Sequence, residues 1–272
     1  MLKMKTILLP TDFSKSASNA LEFAKQLAIT HDYKIKLLHI VQTMVDPNMP
    51  PEIIDDVLTT QEKEAREHNE QLKRELESAG IEVESITRRG FLIESEILEE
   101  LTQDNINLII MGTKGANDLV EKLLGSNASS IIERATCPVL VVPTAANPGK
   151  SIKKIVYATQ FHGEELPFVE RIIEFGNAIN AETTVLKINT NEKQEESLIN
   201  KLKLVSSTHK CRIETYTAVS ESTGIIEYAQ KYGADLLVMV THKRTLLEKF
   251  FTPSLTKKLA EHSDIPLLAY HG

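Results

Sequence analysis

The sequence predicts an α/β protein of two tandem domains, each a five-stranded parallel sheet with helices on both faces. Three observations lead there. The chain is written twice, with elements in the same order in each half. Apolar strand-like runs alternate with amphipathic helix-like runs. The central strand segments are apolar throughout, without period-two alternation, as strands buried on both faces are.

The repeat sets the domain count. KTILLPTDF (5–13) parallels KKIVYATQF (153–161), and IKLLHI (35–40) parallels TTVLKI (183–188), both offset by 148 positions. LIIMGTK (108–114) parallels LLVMVTH (236–242), LVEKLL (119–124) parallels LLEKFF (246–251), and CPVLVV (137–142) parallels IPLLAY (265–270), at offsets of 127 or 128. The drop reflects some twenty additional residues in the first half, placed in DPNMPPEIIDDVLTTQEKEAREHNEQLKRELESAG. AANPGKS (145–151) carries Pro, Gly and small polar residues with no apolar period, and reads as the linker. The domains are therefore drawn at 1–145 and 151–272.

Within the first half the elements follow in order. KTILLP is a strand and SASNALEFAKQLAITH a helix; KIKLLHIV is the second strand. A Pro-rich loop then becomes a charged helix, TTQEKEAREHNEQLKRELESAG, with i,i+4 pairs such as Glu70–Arg74; it reads as an exposed helix and a candidate partner surface. EVESITRR is the third strand, and IESEILEELTQD a helix whose carboxylates read as a solvated face. NLIIMG, SNASSIIERA and PVLVVP complete a strand, helix and strand. Parallel strands joined by helices require right-handed crossovers. Such a Rossmann-like sheet gathers ligands at the carboxyl ends of its strands, where strand order reverses.

Composition excludes several classes. A net charge of −7 argues against a general nucleic-acid or anionic-membrane binder. No apolar stretch reaches the length of a membrane helix, and MLKMKTILLPTDF lacks the form of a signal peptide. Cys137 and Cys211 read as small apolar residues of a reduced, cytoplasmic protein. The eight histidines show no metal-ligand spacing, and His39 reads as a packed strand-end residue. No nucleophile elbow or Cys–His signature occurs, so no catalytic residue is assigned.

One loop stands apart. MGTKGANDLVEKLLGSN (111–127) holds three of the chain's eleven glycines: Gly112, Gly115 and Gly125. The spacing G-x2-G-x9-G-S is neither a Walker A loop nor G-x-G-x-x-G. Glycine permits close backbone approach and positive φ, and the helix starting near Ser126 offers N–H groups suited to phosphate. Lys114 adds a charge; Ser126 and Asn127 add donors or an N-cap. Taken alone, these are either turn glycines with a helix cap or a phosphate cradle. Asp12 likewise reads as a ligand-facing carboxylate or as a loop residue, with Ser14 or Ser16 capping the next helix.

With ILLPTDFS at the first strand, LLHIV at the second and CPVLVVP at the fifth, this motif resembles the universal stress protein family in its tandem form, over nearly the whole chain. The resemblance implies an adenine nucleotide; ATP or AMP is the expected ligand, and a Mg²⁺ could travel with its phosphates. It implies that Pro10, Thr11 and Asp12 end the first strand with Asp12 beside the adenosine, and that Val41 lines the adenine pocket. It implies that Met111, Gly112, Lys114 and Gly115 run under the ribose and phosphates, and that Gly125, Ser126 and Asn127 bind the phosphates. Ala128 departs from the Ser or Thr often found there. The resemblance further implies pairing through the fifth strand, met here inside one chain as a pseudo-dimer, with a homodimer of chains as an extension. The expected role is a nucleotide-responsive stress or signalling protein with little turnover; the alternatives are a slow ATPase or autophosphorylating protein with Ser126 or Ser129 as acceptor, and a protein-interaction module. In the second half Gln160, Val240, Lys243, Thr252 and Pro253 replace Asp12, Gly112, Gly115, Gly125 and Ser126, so one site per chain is expected.

Overall fold

A computed structural model describes residues 5–43, 50–103, 105–113, 125–159, 166–190, 211–241 and 265–271. The chain divides into two compact units, the first reaching Thr144 and the second running on from Ala145.

The first unit contains β1 (Lys5–Pro10), α1 (Lys15–His31), β2 (Tyr33–Gln42), α2 (Pro51–Ser78), β3 (Val83–Gly90), α3 (Ile93–Gln103), β4 (Ile106–Gly112), α4 (Ser126–Arg134) and β5 (Val139–Val142). Its strand order is β3-β2-β1-β4-β5, all neighbours parallel. Ile7, Leu8, Leu9, Ile35, Leu37, Leu38, Ile109 and Ile110 are all fully or almost fully buried, which explains the unbroken apolar runs. β4 bulges against β1, Thr6 facing Ile106 and Ile7 facing Leu108; the Thr6 N–H donates to Asn107 Oδ1 at 2.8 Å instead.

α1 starts at Ser14, whose Oγ accepts from the Ala17 N–H at 3.2 Å. It buries Ala17, Ala20, Leu21, Ala24 and Ala28 at helical spacing, and the small side chains let it lie close on the sheet. It ends at Asp32 in the left-handed region, a conformation short polar residues tolerate.

α2 corrects the sequence reading. It begins at Pro51, eight residues before the predicted start, because proline is compatible with the first helical position. It is not simply an exposed helix: Leu58, Ala65, Asn69 and Leu76 form a buried stripe against β2 and β3. Among the described residues, the charge pairs along it are Arg66–Glu62 at 2.6 Å and Lys73–Glu77 at 3.9 Å; the expected Glu70–Arg74 pair is not formed. A second correction concerns α3. Glu100, read as solvated, is 1% exposed; Lys36 Nζ lies 2.6 Å from its Oε2 and Arg88 pairs with its Oε1. A carboxylate withdrawn from water in this way needs such partners.

The second unit contains β6 (Lys154–Thr159), α5 (Leu166–Ala178), β7 (Glu182–Asn189), β8 (Cys211–Thr217), α6 (Glu221–Tyr232), β9 (Leu236–Thr241) and β10 (Leu267–His271). Its order, β10-β9-β6-β7-β8, repeats that of the first, again parallel throughout. Asp235 fixes the entry to β6: Oδ2 accepts from the Lys153 and Lys154 N–H groups at 2.9 Å each, and Oδ1 meets Lys150 Nζ at 2.8 Å.

Candidate functional site

β1 lies between β2 and β4, and its flanking crossovers leave it in opposite directions, so strand order reverses there. At the carboxyl ends of these three strands a cavity of about 730 Å³ opens. That volume falls within the range of small-molecule sites. Nine of the eleven residues singled out from sequence line it: Pro10, Thr11, Asp12, Val41, Met111, Gly112, Gly125, Ser126 and Asn127. Lys114 and Gly115 lie outside the described residues.

Each lining group is held by identifiable bonds. The Thr11 N–H donates to the Leu38 carbonyl at 2.9 Å, extending the β1–β2 ladder past Pro10. The turn then reverses through Phe13 at φ 61°, with the Phe13 N–H on Thr11 Oγ1 at 3.1 Å and the Ser14 N–H on Asp12 Oδ1 at 3.0 Å. Asp12 thus shapes its own loop while facing the cavity. On the other side, the Gly125 N–H donates to the Thr113 carbonyl at 2.5 Å, and Thr113 is tied to Val142 at 3.1 Å. Gly125 is the N-cap of α4 and makes no side-chain cap bond. Ser126 and Asn127 therefore occupy the first helical positions, where backbone N–H groups point out of the helix end toward the cavity.

Of the two reasons offered for glycine, close approach and not positive φ applies at Gly112, and what approaches is α1. Among the described glycines, positive φ occurs at Gly80 and Gly233, not at Gly112 or Gly125. Gly112 answers a demand for space: a Cβ there would stand 2.8 Å from the Ser16 carbonyl carbon and 2.8 Å from Ser16 Cβ. The first turn of α1 rests directly on the end of β4. Val240, which aligns with Gly112, is buried in β9 opposite Tyr270, as Gly112 is opposite Val142.

Some lining residues were not picked out from sequence: Phe13, His39 and, from α2, Gln61, Glu64, Ala65 and His68. His39 Nδ1 lies 2.9 Å from the Thr11 carbonyl oxygen. Its ring stacks on Phe13 at 4.5 Å, and Phe13 meets His68 at 5.1 Å. Burial lowers the His39 pKa against the raising effects of the Thr11 carbonyl and Asp12, while His68 acts with burial. Among the described residues the lining holds no Lys or Arg, so the positive end of a helix dipole at the start of α4 is its source of positive potential.

The comparisons with known proteins bear on this arrangement. Residues 3–143 and 187–271 match the Universal stress protein family. The chain belongs to the universal stress protein family. Universal stress protein MJ0577 of Methanocaldococcus jannaschii is 32% identical over 153 residues, covering 51% of this chain and 94% of that protein. Universal stress protein Slr1230 of Synechocystis sp. is 25% identical over 98% of this chain and 100% of its own length, so this universal stress protein has a relative of matching extent. A universal stress protein crystal structure from Archaeoglobus fulgidus aligns over 99% of both chains with a TM-score of 0.74 at 16% identity, a likeness of fold. Among the described residues no helix is long and apolar enough to cross a membrane, and no group of three or more His, Cys, Asp or Glu side chains is placed to hold a metal.

Proposed function

We propose that the first domain binds an adenine nucleotide, ATP or AMP, and that this cytoplasmic universal stress protein acts as a nucleotide-responsive stress or signalling protein with little or no turnover. The observation that carries the reading is the start of α4: a helix N-terminus with no side-chain cap, opening into the cavity across from Asp12 and Val41. The adenosine then lies at the Asp12–Val41 end and the phosphates at Gly125, Ser126 and Asn127, with Lys114 and Gly115 completing the cradle. The helix dipole and backbone N–H groups favour the phosphate charge. Mg²⁺ comes with the phosphates, held by few protein groups. The second domain, lacking the signature, binds no nucleotide and serves as a structural partner in an intramolecular pseudo-dimer.

Isothermal titration of full-length protein, stripped of endogenous nucleotide, with ATP, AMP and cyclic nucleotides tests this. The expected result is about one adenine nucleotide per chain, lost in Asp12→Ala and Gly115→Val. Two per chain would refute the account of the second domain. No binding by wild-type protein would refute the nucleotide reading.

A further inference from the structure

His39 stands where two constraints on one turn meet. Its Nδ1 faces the Thr11 carbonyl oxygen at 2.9 Å. A carbonyl only accepts, so Nδ1 carries the proton and Nε2 is the acceptor of the neutral ring. Its ring face lies against Phe13, centroids 4.5 Å and planes 15° apart. Phe13 sits at φ 61°, a region aromatic residues rarely enter. A backbone held there persists only where its surroundings over-determine it. Here they do: the Phe13 N–H is bound to Thr11 Oγ1, and the ring packs against the cluster of Val41, Leu58 and Ala65. His39 therefore grips the turn at both ends, by hydrogen bond at Thr11 and by stacking at Phe13, with Asp12 between them.

We propose that His39 is a positioning residue of the nucleotide site, holding the Thr11–Asp12–Phe13 turn in the shape that presents Asp12 to the ligand. The inference rests on the nucleotide reading above and adds a pH dependence to it. Among the described residues, the titratable groups near the ring are few. Asp12 faces it from the turn; His68, across Phe13, and Glu64, one turn earlier, come from α2. Its neighbours on β3 and β1 are uncharged: Thr87 lies opposite it, and the β1 end supplies Pro10 and Thr11. Burial lowers the ring's pKa and so favours its neutral form. A nucleoside packed between Asp12 and Val41 dries the ring further and lowers its proton affinity again. By linkage such a ligand binds less tightly once the ring is protonated, by at most about tenfold per pH unit.

The test is isothermal titration of full-length wild type, His39→Asn and His39→Leu with ATP at about pH 7.5 and about pH 5. The Asn amide can still donate to the Thr11 carbonyl but does not titrate; Leu does neither. Wild type should lose more affinity on acidification than His39→Asn does. His39→Asn should stay within about threefold of wild type at the higher pH and lack the histidine's contribution to the slope; His39→Leu should be about tenfold weaker there, the equivalent of one lost hydrogen bond. Protonation of ATP itself is common to all three, so the difference in slope is the readout. His39→Asn keeping the wild-type slope would overturn the proposal, as would wild-type affinity in a folded His39→Leu. If His39→Leu fails to fold, judged by its thermal melt, the slope of His39→Asn decides alone. Wild type binding no ATP at either pH would overturn the nucleotide reading, and this inference with it.

Discussion

Replacing Glu100 with Leu separates a buried charge from its partner. Lys36 has a side chain 4% exposed, with Nζ 2.6 Å from Glu100 Oε2 and 3.3 Å from Glu84 Oε1. Arg88, 24% exposed, pairs with Glu100 and also lies 3.7 Å from Glu96 and 3.9 Å from Glu99. Breaking a buried pair by removing one member typically costs about 3–5 kcal/mol, since the other charge stays in the interior. Glu84, Glu96 and Glu99 offset part of that, which puts Glu100→Leu near the lower end, about 3 kcal/mol. Adding Lys36→Met removes the second buried charge and fills the space with apolar atoms. Such replacements are often neutral or stabilising, so the double variant should return to within about 1 kcal/mol of wild type. Urea unfolding followed by circular dichroism, compared at unchanged slope, measures both. A single variant costing less than about 1 kcal/mol, or a double variant as unstable as the single, would refute the burial argument.

Three further outcomes follow from the packing. Gly112→Ala should destabilise nucleotide-free protein by about 1–3 kcal/mol because its Cβ meets the Ser16 backbone; an unchanged melt with impaired binding would contradict that account. At Asp235, burial works to raise the carboxyl pKa, but Lys150 and the Lys153 and Lys154 N–H groups outweigh it and hold the carboxyl below its usual range. The clamp therefore contributes fully above the unfolded value of about 3.9 and is lost as pH falls through the lower folded value; Asp235→Asn should lose about 1–2 kcal/mol at neutral pH and lack that acid limb in a pH series of melts. Burial pushes the Cys137 thiol up to about 11 and raises the less buried Cys211 too; a thiol reagent at about pH 8 should modify Cys211 first and Cys137 only on unfolding, and equal rates in native protein would count against the burial at Cys137.

The legible parts of this chain were those with strong local signatures. The doubled order of strands and helices predicted both parallel sheets, because unbroken apolar runs have few other fates. Nine predicted site residues share one cavity because they sit at the ends of adjacent strands and the start of the next helix. What local pattern hid was tertiary. Glu100 looks like its neighbours on a charged helix until β2 and β3 bring Lys36 and Arg88 against it. His39 and His68 carry no spacing signal, and the fold brings both rings against Phe13. The pair of prolines before α2 looked like a loop, although Pro51 opens the helix.

Gly125 has a consequence for how the two halves diverged. A helix whose first residue is preceded by glycine has no side chain of its own to satisfy its leading amides, so it leaves that task to an outside acceptor. Serine, threonine or aspartate there would satisfy one internally and typically strengthen the helix by a few tenths of a kcal/mol over glycine. Drift toward stability and retention of the proposed anion seat thus pull this position in opposite directions. The second half carries Thr252 at the aligned position, a residue type able to supply its own cap. On the proposed function, the copy that no longer holds a ligand gains by becoming self-sufficient, and the copy that keeps glycine is the one that leaves its leading amides to an acceptor from outside the chain.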